Sequence, residues 1–306
     1  MQQSKSYFSW FSSSGNLNGL TENMPKEDKI ITLSEGNTRY NLEGNINGKK
    51  VILIHGISQP KDVFVYLKRD LISKGFYVLS YDLYGRGYSS SSDKAQTLDI
   101  LVGQLYQLID NIFNIKILGK ELNLYGWSLG SIIASSFGNK HSELVSKIIL
   151  LSPIGDNISK PFISRIVTLP FIGEIIMNLI GRKELMTMYQ NEFEFLTMVS
   201  NDSDLTNLLN FLIEHAYNNP VLLRTILSNL KNIPEIDNNK KIYNELNQKD
   251  IEILILSGSD DPLVKHPENI NKILVKSQLK IINNAGHSCG ISHYKKINDF
   301  TCDFFK

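Results

Sequence analysis

The chain has 306 residues, 42% of them hydrophobic, and a formal net charge of +1. That length can bury a substantial core in one large domain or two. The lysine pairs Lys49-Lys50, Lys240-Lys241 and Lys295-Lys296 are scattered rather than striped, which argues against nucleic-acid binding. Cys289 and Cys302 make neither a disulfide framework nor a C-x-x-C metal site, which fits a reducing compartment. The sequence calls for no metal and no cofactor.

Residues 1–28 read as a tail. Its aromatic cluster (Tyr7, Phe8, Trp10, Phe11) suits strapping onto the body, or touching a lipid interface as a peripheral membrane contact. The serine-rich start lacks the apolar stretch of a secretory signal, and no apolar run approaches a membrane span, so a cytoplasmic location is expected. Residues 29–33 and 38–42, separated by Glu35-Gly36-Asn37, predict a hairpin. The run 50–54 is a continuous apolar strand ending in His55-Gly56-Ile57-Ser58-Gln59-Pro60. A helix over 63–73 follows, then a strand over 76–81 that runs into Asp82-Leu83-Tyr84-Gly85-Arg86-Gly87-Tyr88-Ser89. Helical periodicity continues from Leu98 to Ile117, and 122–125 and 147–151 read as further strands.

Apolar strands alternating with helices predict an α/β protein with a mainly parallel sheet. Residues 154–247 break that rhythm with helical pieces and no convincing strand, an inserted helical domain. The sheet resumes over 251–256 and 279–282, with helices near 267–275 and 292–304. The core is therefore 29–153 together with 248–306.

Chemistry concentrates at Leu122–Ser131. A strand ends at Gly126, Ser128 stands between Gly126 and Gly130, and a helix of small and apolar residues follows. Strand, G-x-S-x-G, helix is the context in which a serine hydroxyl is pushed out on a sharp turn. Such a hydroxyl needs an adjacent base, and the base needs an orienting group. Of six histidines, His287 leaves a strand through a short polar turn and is the expected base. His141, His215 and His293 suit surface or packing roles, and His266, beside Pro267, suits a helix cap. Two acids, Asp260 and Asp261, follow the strand 251–256, and only one of two adjacent carboxylates can reach His287.

These features together resemble the α/β-hydrolase superfamily. The order Ser128, Asp261, His287, the His55-Gly56 pair, the stretch 82–89 (similar to D-x-x-G-x-G-x-S) and the placement of the insertion all match. The resemblance covers nearly everything from residue 29 onward. It implies Asp261 as the acid, immediately before Pro262, with Asp260 as the alternative; some members place the acid near Asp156. It also implies backbone N–H donors at Leu129 and Ile57 for an oxyanion, braces at Asp82 and Arg86, and a structural role for His55.

A serine at position 128 argues against the superfamily's dehalogenases and epoxide hydrolases, which use aspartate there. The loop at 55–58 lacks the glycine-rich run of proline iminopeptidases and hormone-sensitive-lipase-like esterases. The resemblance therefore implies a serine esterase of the carboxylesterase or monoacylglycerol-lipase kind. An insertion rich in Ile, Leu, Phe and Met suggests a lid over an apolar acyl group or lipid-like ester. A ligand-binding receptor or pseudoenzyme on the same scaffold, an acyltransferase, a C–C bond hydrolase and a peroxidase-like enzyme are the alternatives.

Overall fold

The near-continuous apolar runs form strands buried on both faces of one sheet. The computed structural model describes residues 24–154, 169, 172–199, 203–233 and 236–306. Eight strands, β1 (Lys29–Leu33), β2 (Gly36–Gly44), β3 (Lys50–Ile54), β4 (Tyr77–Tyr81), β5 (Leu122–Trp127), β6 (Val145–Leu151), β7 (Glu252–Gly258) and β8 (Gln278–Ile282), assemble in the order β1-β2-β4-β3-β5-β6-β7-β8. The hairpin β1–β2 adds to β4 antiparallel, and every other pairing is parallel. The C-terminal ends of β3 to β8 therefore share one edge, where an open α/β sheet places its ligand site.

Alternation along each strand splits the core in two. Val51, Leu53, Tyr125, Ile149, Leu151, Leu254 and Leu256 face the helices Val65–Ser73 and Tyr294–Phe305. Ile52, Ile54, Leu124, Ile148, Leu150, Ile253 and Ile255 face the helices Leu98–Phe113 and Leu129–Lys140. The periodicity through Ile117 overruns one break. Asn114 takes the left-handed conformation (φ 55°) and its N–H closes on the Asp110 carbonyl at 2.9 Å, so the long helix stops and a single turn, Ile115–Leu118, follows. Asparagine tolerates that conformation at a helix end better than other side chains.

Between β6 and β7 the described residues are helical: Ile172–Ile176 running into a wider turn at Met177–Gly181, then Arg182–Val199, Ser203–Asn218, Leu222–Asn232 and Ile236–Leu246. Leu185, Tyr189, Leu205, Leu209, Leu212 and Ile226 join the first core. The last helix packs instead beside Leu129–Lys140 through Tyr243 and Leu246, with Asn139 donating to the Ile242 carbonyl at 2.9 Å. Among the described residues no helix is long and apolar enough to cross a membrane. The aromatic cluster at 7–11 lies outside the described residues.

Residue 28, the last of the tail in the sequence reading, is locked in place. Arg39, fully buried, donates to Asp28 through Nε at 2.6 Å, to both oxygens of Asp62 at 2.7 and 2.9 Å, and to Asp82 at 3.1 Å. Lys61 completes the cluster on Asp28 at 2.8 Å, and the Tyr88 ring lies beneath the Arg39 guanidinium. Two cations thus hold three carboxylates, Asp28 and Asp82 buried and Asp62 partly exposed. Arg39→Met leaves those carboxylates under-compensated, and it is expected to cost about 3–5 kcal/mol of folding stability, read by chemical denaturation.

Candidate active site

Ser128 sits between β5 and the helix Leu129–Lys140 with φ 53° and ψ −113°, a conformation that side-chain-bearing residues avoid. The turn is possible because both flanking glycines lack a side chain. A Cβ on Gly126 would lie 2.3 Å from the Gly130 carbonyl oxygen, and one on Gly130 would lie 2.1 Å from the Ile54 carbonyl oxygen. The Ser128 N–H is anchored to the Leu151 carbonyl at 2.9 Å, so the neighbouring strand fixes the turn.

The sheet edge brings His287 and Asp261 to this serine. His287 Nε2 lies 3.0 Å from Ser128 Oγ, and its Nδ1 lies 2.9 Å from Asp261 Oδ2. An ionised carboxylate only accepts, so Nδ1 carries the ring proton and Nε2 accepts from the serine hydroxyl. Asp261 is buried. Burial alone would raise its carboxyl, but the hydrogen bond from His287, with those from the Val264 and Leu263 N–H groups, holds it below the usual range. Those two N–H groups reach Oδ1 at 3.0 and 2.8 Å. The His287 carbonyl is pinned in turn by Trp127 Nε1 at 3.3 Å and Ser152 Oγ at 3.2 Å. Trp127 therefore packs the turn, against Phe64, and also lines the cavity.

Asp260 does not approach His287 in this way. Its side chain is exposed, it meets Ser259 Oγ at 3.1 Å, and its N–H donates to the Ala285 carbonyl at 3.0 Å. That bond, with Ser259 N–H to the Ile282 carbonyl and Asn284 N–H to Ser259 Oγ (2.9 Å each), laces the acid and histidine loops together. Asp156 lies outside the described residues. His266 precedes the helix Pro267–Ile273, but its ring meets the Glu268 carboxylate rather than a free N–H.

The His55-Gly56-Ile57 turn lies against the serine: an ideal Cβ on Gly56 would be 3.6 Å from Ser128 Cβ. His55 Nδ1 donates to the Gly56 carbonyl at 2.8 Å, and Nε2 accepts from the Leu83 N–H at 2.9 Å, so the neutral ring is the one that fits. Burial drives its pKa from the usual 6.5 down to about 4. The folded form thus resists a proton that the unfolded chain accepts. Stability contributed by neutral His55 is complete above about pH 6.5 and drains as pH falls toward 4. Denaturation midpoints across that window should register a loss on the order of 3 kcal/mol, and His55→Gln should flatten the slope.

A cavity of about 480 Å³ opens beside Ser128 and His287. Ile57, Trp127, Leu263 and Ile291 from the core and Met188, Tyr189 and Leu209 from the insertion form its walls, with Gln59, Asn284 and Asp260 as polar lining. Sequence reading located the serine, the histidine and the pair of acids. It did not single out Gln59, Met188, Tyr189 or Leu209. Gln59 stands four residues after His55, a cue that was available, but the face each inserted helix turns inward depends on how the insertion packs.

A mostly parallel sheet with a buried serine on a strand–helix turn, and an acid and a histidine on later loops, is the α/β-hydrolase fold. A family model described as "Serine aminopeptidase, S33" matches residues 47–289, so the chain belongs to that family and is a hydrolase. "Lipase 3" of Moraxella sp. (strain TA144) is 25% identical over 268 residues, covering 85% of this chain and 79% of that protein. "Lipase 1" of Psychrobacter immobilis is 28% identical over 130 residues, and that match spans 42% of this chain and only 39% of the relative. The crystal structure of the enol-lactonase from Burkholderia xenovorans LB400 superposes with a TM-score of 0.73 at 16% identity, over 90% of this chain and 99% of that one. At that identity the structural likeness establishes the fold.

Proposed function

We propose that this protein cleaves carboxylic esters with an apolar acyl group, through Ser128, His287 and Asp261 and an acyl-enzyme intermediate. The observation that carries this reading is the unbroken hydrogen-bonded chain Asp261–His287–Ser128 opening onto a largely apolar cavity. His287 Nε2 takes the hydroxyl proton as Ser128 Oγ attacks the ester carbonyl. Charge collects on the carbonyl oxygen, and the N–H groups of Leu129 and Ile57 receive it. Leu129 is the first residue of its helix, where N–H groups lack intrahelical partners and the helix dipole favours an anion. The imidazolium then protonates the leaving alcohol, and water activated by His287 releases the acid. In this reading the helical insertion between β6 and β7 is a cap, and Met188, Tyr189 and Leu209 bring it to the acyl group.

Membership of a family described as serine aminopeptidases favours a second substrate class, aminoacyl amides. Asp260, the one carboxylate among the described residues lining the cavity, supplies a partner for a free α-ammonium. One assay separates the two: rates on p-nitrophenyl esters of increasing acyl length and on monoacylglycerols, beside aminoacyl p-nitroanilides. The ester reading expects turnover of the esters with a chain-length optimum and little on the anilides. The reverse ranking refutes it, and absence of fluorophosphonate labelling of the folded protein refutes both. Alcohol added to the ester assay distinguishes acyl transfer, by the ratio of new ester to free acid.

A further inference from the structure

Arg86 is a fully buried arginine whose three hydrogen bonds all run to uncharged oxygens. Nε donates to the Ile57 carbonyl at 2.8 Å, Nη1 to the Tyr84 carbonyl at 2.9 Å, and Nη2 to Asn229 Oδ1. Among the described residues no carboxylate pairs with it. A buried charge without a counter-ion is costly, and here the cost appears as a pKa pushed down by burial to about 9. Only a guanidinium fork reaches oxygens in three diverging directions from one side chain.

Those directions join the serine site to the insertion. Three successive carbonyls of the loop beside Ser128 are each held by a different side chain: Gly56 by His55 at 2.8 Å, Ile57 by Arg86, and Ser58 by the Tyr189 hydroxyl at 3.2 Å. Tyr189 belongs to the inserted helix Arg182–Val199. Asn229, on the inserted helix Leu222–Asn232, is itself pinned by donating to the Gln96 carbonyl at 2.9 Å. The peptide units on either side of Ile57 are thus clamped, and two of the three clamps end in the insertion.

We propose that Arg86 is a positioning residue: by holding the Ile57 carbonyl it fixes the residue whose N–H, on the adjoining peptide unit closed by His55, would bind the oxyanion, and through Asn229 it makes that setting depend on how the insertion is seated. The proposal rests on the acyl-transfer reading above. A residue that merely braced the fold would weaken stability without distinguishing ground state from transition state. A positioning residue moves transition-state binding selectively, because a misplaced donor harms only the charge that develops on reaction.

The test compares Arg86→Met, Arg86→Lys and Asn229→Ala with the wild type on a short p-nitrophenyl ester. Inhibition is measured alongside with an alkylboronic acid, whose tetrahedral adduct on Ser128 places an oxygen where the oxyanion would sit. Arg86→Met is expected to lose roughly 100-fold in kcat with KM within about 3-fold, the scale of one lost oxyanion donor. Boronate affinity should fall in parallel, and Arg86→Lys should recover about a tenth to a third of the wild-type kcat by keeping one bond to the Ile57 carbonyl. Asn229→Ala leaves Arg86 in place and should lose about 3–10-fold in kcat and in boronate affinity; it decides the matter if Arg86→Met does not fold. Wild-type kcat and boronate affinity in a folded Asn229→Ala protein overturn the proposal, as does a loss confined to KM in the Arg86 variants. Fluorophosphonate labelling of the wild type separates the two failures. No labelling defeats the acyl-transfer reading itself, whereas labelled wild type with unaffected variants defeats only the role of Arg86.

Discussion

Ser128→Ala is expected to lower ester turnover by about 10⁴–10⁶-fold and to abolish fluorophosphonate labelling, because Ser128 is the cavity hydroxyl that His287 faces. Ser128 Oγ is the atom that His287 Nε2 faces at 3.0 Å, and its loss leaves a base with no proton to take. Folding stability should change by no more than about 1 kcal/mol, since the hydroxyl bonds to a half-buried imidazole. The strained backbone persists in alanine, whose Cβ still opposes φ 53°. Ser128→Gly relieves that strain and should be more stable than Ser128→Ala by about 1 kcal/mol while equally inactive. Thermal denaturation and a steady-state ester assay check both. Near-wild-type turnover in Ser128→Ala would remove the serine from the mechanism.

The architecture was legible because its signals are local. Apolar runs such as Val51–Ile54 and Ile148–Leu151 declare strands buried on both faces, and their alternation with helical periodicity declares a parallel sheet. The turn at Ser128 was legible for the same reason: two glycines two residues either side of a serine mark a backbone approach that no Cβ permits. Other features are set by distances that no local pattern encodes. Arg39 gathers Asp28, Asp62 and Asp82 from three segments far apart in the chain, which shows only four ordinary charges. Arg86 was expected to brace neighbouring loops, yet its link to Asn229 spans 143 positions. The cavity wall contributed by Met188, Tyr189 and Leu209 depends on which face of each inserted helix turns toward the sheet, a matter of packing rather than sequence pattern.

The two substrate classes proposed above differ in the leaving group, an alcohol for an ester and an amine for an aminoacyl amide. Both begin with the same attack on a carbonyl. In the proposed mechanism Ser128, His287 and the helix N-terminus all act at the reacting carbonyl, which the two classes share. Discrimination falls to the cavity walls, which combine the core loops at 56–59 and 260–263 with the inserted helices. Substitutions at Met188 and Leu209 should therefore shift the chain-length optimum while leaving the rate on an acetyl ester within about 3-fold.

Asp261→Asn tests the remaining member of the hydrogen-bonded chain, and its effect follows from donor and acceptor accounting. Asp261 Oδ1 accepts from two backbone N–H groups, so an asparagine introduced there turns its carbonyl oxygen to Leu263 and Val264. Its amide nitrogen then faces His287 Nδ1 and can only donate, which forces the ring proton onto Nε2. Nε2–H points at Ser128 Oγ and cannot accept its proton, so the nucleophile is left without a base. The expected loss is about 10³–10⁴-fold in kcat with little change in KM. Asp260→Asn keeps the turn and its exposed position and should stay within about 3-fold of wild type, since its side chain bonds to Ser259 and takes no part in the Asp261–His287–Ser128 chain. A steady-state comparison of the two variants on one ester decides between the adjacent acids. Greater damage from Asp260→Asn would transfer the orienting role by one residue and require the loop 259–262 to move on substrate binding.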